Sequence, residues 1–209
     1  MKNVGLKIKH MFTSGYNGQV LGKHQSLYGT WIQMTWPELF MLEWTLADNR
    51  DITRIVELGT GHGALTLFFG LHMSMRGGKV LSFDIKKIVP PQWYELSEKL
   101  NITFEQADVF TSGTVEKVRE FIKDGRALIF CDNGDKKREF PLYARVLKKN
   151  DLIMAHDWGP IDLSGMGWGV VGGEIRHEHL DQKTLSMLEV YRQQEFLDLK
   201  ARILSMRRK

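Results

Sequence analysis

In three places the sequence leaves an apolar run and passes directly to residues that can do chemistry. In "RIVELGTGHG" Glu57 precedes Gly59, Gly61 and Gly63. In "ALIFCDNGDKK" the apolar residues 127–131 give way to Asp132, Asn133, Gly134, Asp135 and Lys136, and in "DLIMAHDW" His156 and Asp157 end the same kind of run. Glycines at such a turn let the backbone curl tightly and let a ligand come within contact distance. A dinucleotide turn reads G-x-G-x-x-G with a pyrophosphate on the following helix. Here the spacing is G-x-G-x-G with a carboxylate in front, which would oppose a pyrophosphate and attract an ammonium. Asp132 and Asp157 end strands that are expected to be neighbours and could face one another, where a metal or a base can take a proton from a hydroxyl.

These residues need strand ends to stand on. "TRIVEL", "KVLSFD", "ITFEQAD", "ALIFCD" and "DLIMAHD" read as five strands, separated by helical stretches near 62–75, 91–100, 114–124 and 136–148. Strand–helix alternation implies right-handed crossovers, hence a mostly parallel sheet with helices on both faces. The expected fold is α/β, a Rossmann-like three-layer sandwich with an N-terminal helical extension. Ligands bind such sheets at the carboxyl ends of the strands, near the point where strand order reverses. Glu57, Asp84, Asp108, Asp132 and Asp157 all stand near carboxyl ends, and five acids on one edge suggest a site.

The flanks complete the frame. Residues 1 to about 34 read as an irregular arm. A helix then starts with Thr35 as N-cap, Glu38 as its capping-box partner and Pro37 in the first turn, burying Trp36, Leu39, Leu42 and Leu46. The glycine-rich segment 159–178, with Trp158 and Trp168, reads as a mobile lid over the strand ends, its tryptophans shaping a pocket or anchoring the loop. A helix is expected over 179–194. In "FLDLKARIL" the alternation of Leu197, Leu199, Ala201 and Ile203 with charged residues predicts a sixth strand, leaving the tail "SMRRK" to solvent. The 209 residues read as one domain, with an arm and helix over 1–50, a core over 51–158, and lid, helix and late strand over 159–209.

No apolar run approaches the ~20 residues of a membrane helix. The start lacks a signal-peptide pattern, and a lone Cys131 allows no internal disulfide and reads as a small buried residue; the expected setting is the cytoplasm. Net charge is +4 without a basic face interleaved with aromatics, which disfavours nucleic acid as partner. Homo-oligomerisation is left open.

The acid followed by G-x-G-x-G resembles the first motif of the class I S-adenosylmethionine-dependent methyltransferases. That resemblance covers roughly residues 53–157. It implies that Glu57 holds the methionine amino group, that Gly59, Gly61 and Gly63 line the cofactor, that Asp84 bonds the ribose hydroxyls, and that Asp108 lies near the adenine amine. His62 would touch cofactor by position only. "GTWIQMTWPELFMLEW" and the strand ends "CDNGDKK" and "MAHDW" resemble the metal-dependent cephalosporin hydroxylase and rhamnosyl O-methyltransferase-like group. On that resemblance Asp132 and Asp157 ligate a divalent ion, Mg or Mn, with His156 as neighbour, and Lys136 falls near the lysine base of the catechol-type enzymes.

The group usually has an acid where this chain has His156, so His156 stands as ligand, as base, or as a structural imidazole. For Asp132, Asp84 and Lys136 the bland alternatives are helix caps and a solvated lysine. The implied activity is methyl transfer to a hydroxyl of a small molecule or sugar. Its rivals are a metal-independent enzyme with a histidine base, acting even on nucleic acid, and a non-catalytic module that binds the cofactor.

Overall fold

The computed structural model describes residues 25–28, 30–159, 161–162, 170–171 and 174–209. The arm up to residue 24, Trp168 and most of the lid lie outside these residues.

A two-stranded hairpin, β1 (Gln25–Leu27) and β2 (Thr30–Ile32), precedes helix α1 (Trp36–Asp48). The capping box is present: Glu38 N–H donates to Thr35 Oγ1, and Thr35 N–H donates to Glu38 Oε2 at 2.6 Å. Leu39, Met41, Leu42 and Leu46 are buried as the pattern requires, whereas Trp36 is 41% exposed. At the first helical position Trp36 lies before the apolar stripe begins, so the expectation that it is buried fails.

The core alternates β3 (Ile52–Leu58), α2 (Ala64–Ser74), β4 (Lys79–Asp84), α3 (Pro91–Lys99), β5 (Ile102–Gln106), α4 (Ser112–Ile122), β6 (Arg126–Cys131), α5 (Lys136–Ala144) and β7 (Leu152–His156). These five strands pair in parallel in the order β7-β6-β3-β4-β5. Every one matches its expected strand to within two residues. The chain runs β3 to β4 to β5 on one side, then returns to place β6 on the other side of β3. That reversal opens a crevice above the ends of β3 and β6.

Period-two alternation distributes the strands between two cores. Leu128 and Phe130 of β6 join the layer containing α1 and α2, whereas Ala127, Ile129 and Cys131 join the opposite layer with Val118, Phe140 and Tyr143. Cys131 is fully buried, as a small apolar residue should be.

The C-terminal reading needs correction. In place of a helix over 179–194 there is a short α6 (Gln182–Met187), then β10 (Leu188–Val190), then α7 (Gln193–Asp198). The sixth strand is displaced: β11 spans Ile203–Arg208, so most of the tail read as solvated is sheet. Leu197 and Leu199 alternate in sequence, but Phe196 and Leu199 are the buried pair, three apart on a helix. Lys200 then turns left-handed at φ 58°, while its N–H bonds Leu197 O and that of Ala201 bonds Phe196 O. This paired helix stop leaves Arg202 to lead into the strand. β11 lies antiparallel between β10 and β7, with Ile203 opposite His156. A late antiparallel hairpin therefore exists where the sequence suggested one strand. Between β7 and α6, β8 (Ile161–Asp162) pairs with β9 (Val170–Val171) within the predicted lid. Among the described residues no helix is long and apolar enough to cross a membrane.

Candidate active site

One half of the site is built by the glycine turn after β3. Gly59, Gly61 and Gly63 have φ of 108°, 53° and 82°, conformations that side chains rarely adopt. Gly59 is also fixed by space, since a Cβ there would stand 2.5 Å from the Asp132 carbonyl oxygen. The end of β6 thus packs directly on the turn, and Asp132 N–H donates to Leu58 O at 2.8 Å. Gly63 faces Trp93, whose indole donates to its carbonyl.

Glu57 is 1% exposed and lines the cleft above this turn. Its Oε2 accepts hydrogen bonds from Ser82 and Thr66, while Oε1 has no partner among the described residues. Burial pushes its carboxyl up to about 8, against the two hydroxyls, with Asp132 and Asp84 adding to the rise. An unpartnered buried oxygen at a ligand cleft suits an ammonium. Asp84 also lines the cleft, its Oδ2 accepting from Gly61 N–H and its Oδ1 from Lys86 N–H, each at 2.9 Å. Each oxygen keeps a second lone pair for a ligand hydroxyl. His62 packs edge-on against Trp31, which with Met34 closes the cleft on the hairpin side. Asp108 is different. Its Oδ1 accepts from Phe110 N–H, its carbonyl receives the Thr111 and Thr114 hydroxyls, and it is not among the residues lining the cleft.

The other half is a charged cluster at the ends of β6 and β7, neighbouring strands as anticipated. Asp135, not Asp132, caps α5 by accepting from Arg138 N–H. Asp132 is thereby free to face His156, whose Nδ1 lies 3.1 Å from its Oδ1 and 3.7 Å from Asp157 Oδ2. Donor atoms of Asp132, His156 and Asp157 all fall within 4.8 Å of one another. Asp157 holds φ 58°, a left-handed conformation that turns the chain out of β7 at this point. Lys136 is only 4% exposed and reaches Glu174 at 2.8 Å, Asp157 at 3.2 Å and Asp132 at 3.5 Å. Burial alone would lower its affinity for a proton, but these three carboxylates outweigh burial and hold it as an ammonium. Arg202 takes Asp157 Oδ1 at 2.7 Å.

Glu38 enters from α1. It is 1% exposed, with Oε1 3.4 Å from His156 Nε2. Burial pushes its carboxyl up, yet His156 and Thr35 reverse that and leave it below the ordinary range. Burial likewise pulls the imidazole down, and Asp132 and Glu38 raise it well above its ordinary value. Asp157 is lowered by His156, Lys136 and Arg202 despite its own burial.

The donor set fits a divalent ion. Asp132, Asp157, Glu174 and Glu38 bring four negative charges against Lys136, Arg202 and the imidazolium favoured at His156, so one negative charge remains unbalanced, and an ion that displaced the His156 proton would face two. The three donors lie close enough together to share one small ion.

The sequence did not disclose Glu38, Arg202 or Glu174 as members of this cluster. Glu38 was visible only through its capping box, and the other two carried no signal.

No protein-family model and no curated protein matches the sequence. Solved structures do match. An apo form of CmcI superposes with a TM-score of 0.63 at 17% identity, over 88% of this chain and 76% of that one. A Mg–SAM form of CmcI gives 0.61 at 17% identity over the same shares, and an SAH form 0.56 at 16% identity over 88% and 81%. The chain therefore has the Rossmann-like fold of CmcI, in agreement with the fold the sequence resemblance implied.

Proposed function

We propose that this protein is an S-adenosylmethionine-dependent O-methyltransferase acting on a small-molecule hydroxyl, sugar hydroxyls included, with a divalent metal held by Asp132, His156 and Asp157. One observation carries the reading: Asp132 belongs to both halves of the site. It lines the cleft of the glycine turn and also faces His156. Methyl donor and acceptor oxygen would then meet across one residue, the closeness that in-line displacement requires.

Each residue has work to do in this reading. Glu57 offers its unpartnered Oε1 to the methionine ammonium. The turn at Gly59–Gly63 admits the cofactor against backbone, and Asp84 accepts from the ribose hydroxyls. When bound, the metal would lower the pKa of the acceptor hydroxyl and favour its anion. Lys136, surrounded by three carboxylates, acts first as a fixed positive charge beside that anion. The metal-free alternative with His156 as base is less favoured, because the carboxylates on both sides of the ring stabilise its protonated form. We take 1–209 as one domain acting in the cytoplasm.

Asp132→Asn tests this. Turnover should fall by about 100-fold or more together with metal affinity. S-adenosylmethionine affinity, titrated without metal, should stay near wild type. Full activity of this variant in chelator would remove the metal from the proposal. Intact cofactor binding with no methyl transfer across a panel of hydroxyl acceptors would favour the non-catalytic module.

A further inference from the structure

The histidine in the cluster has an explanation outside the cluster. His156 is 6% exposed and pinned between carboxylates, with Glu38 at Nε2 and the Asp132–Asp157 pair at Nδ1. A neutral imidazole has one N–H and one lone pair, and a carboxylate can only accept. Nδ1 is within hydrogen-bond reach of Asp132, whereas buried Nε2 has no hydrogen-bond partner among the described residues and faces Glu38 Oε1 at 3.4 Å. An ion that takes the Nδ1 lone pair between Asp132 and Asp157 would leave the one N–H at Nε2, directed at Glu38. Buried carboxylates behind ligating histidines fix ring orientation in this way and raise the basicity of the donor. Glu38 is itself anchored at both oxygens: Oε2 accepts from Thr35 N–H and Oε1 from Arg202 N–H at 3.2 Å, so the start of α1 and the entry to β11 both hold it.

We infer that Glu38, acting through His156, is the positioning residue that sets the metal preference of this centre, favouring a transition ion such as Mn2+, Co2+ or Zn2+ over Mg2+. Magnesium wants oxygen in near-ideal octahedral array and gains little from an imidazole, whereas the later ions accept nitrogen readily. The inference rests on the metal-assisted reading above and specifies its ion.

The test is equilibrium titration of the purified full chain with Mg2+, Mn2+, Co2+ and Zn2+ in turn, without cofactor, with the visible absorption of the Co2+ form as an independent readout. Transition ions bind most mixed sites more tightly than Mg2+, so the informative quantity is the change in that preference among variants. Glu38→Gln should weaken Co2+ by about 10- to 100-fold, leave Mg2+ little changed and alter the Co2+ spectrum. His156→Gln should narrow the preference at least as far and remove the imidazole signature. Thr35→Ala breaks the same capping box from its other arm, so it should lower thermal stability while leaving Co2+ affinity and spectrum intact. If Glu38→Gln weakened Mg2+ and Co2+ equally, or Thr35→Ala reproduced its effect on Co2+, Glu38 would be a cap and nothing more, and the metal-assisted reading would survive. Binding of none of the four ions to the wild-type chain would overturn both.

Discussion

Glu57 and Glu38 are the same residue at the same depth, each 1% exposed, on opposite flanks of one site. Their surroundings drive them apart. Around Glu57 stand two hydroxyls and the carboxylates of Asp84 and Asp132, so burial dominates and its carboxyl rises to about 8. Around Glu38 stand an imidazole and the hydrogen bonds of Thr35, which more than offset burial and keep it ionised. Depth therefore does not decide the charge of a buried acid; the partner does. Glu38 already has its cation, whereas Glu57 is an anion in waiting.

The sharpest way to break this contrast is Glu57→Gln. If Glu57 ionises against the cofactor's ammonium, the variant should bind S-adenosylmethionine about 10- to 100-fold more weakly, the worth of a charged hydrogen bond. The apo protein should meanwhile lose little stability, because an amide replaces a neutral carboxyl. Equal cofactor affinity in titration calorimetry would place the ammonium elsewhere.

Proton traffic should follow. With its carboxyl pushed up to about 8, Glu57 should be mostly protonated in the free protein at pH 7, so cofactor binding should release roughly one proton, read from calorimetry in buffers of different ionisation enthalpy. Affinity should accordingly climb from pH 6 towards 8, and Glu57→Gln should flatten the trend. Folding stability runs in the other direction. The carboxyl rises from an ordinary 4.5 to about 8, so its contribution is fully present below 4.5 and is lost as pH climbs through 8. Melting curves of the apo protein should show that decline, and Glu57→Gln should lack it.

The smallest effect belongs to Ser82→Ala. Ser82 is fully buried and donates to Glu57 Oε2 at 2.5 Å. Removing that hydroxyl takes away about 1 kcal/mol of support for the carboxylate form. Cofactor affinity should fall several-fold, and the pH at which it levels off should move upward. An unchanged pH profile would mean that Ser82 serves packing alone.

The parallel half of the molecule was legible because its information is local. Strands of five to seven residues with apolar faces and a glycine turn after the first declare themselves within short windows, as β3 to β7 do. The late hairpin did not, because β10 has only three residues and β11 ends in Arg207 and Arg208, whose place depends on pairing with distant strands. The same physics hid half of the charged cluster. Glu38 announces its bond to Thr35 three residues away through a known pattern, but its bond to Arg202 spans 164 residues and has no sequence signature. Asp108 is held locally, its Oδ1 accepting from Phe110 N–H two residues on, and it stands outside the residues that line the cleft.

The placement of β11 bears on how the molecule reaches its native state. β7 is buried along its length and becomes an interior strand only when β11 docks beside it. Until that late, long-range pairing forms, "LIMAH" presents an open apolar edge of unpaired N–H and C=O groups, a template for another chain. Substitutions that delay docking of β11 should therefore register first as lower refolding yield at high protein concentration, before any change in the folded protein.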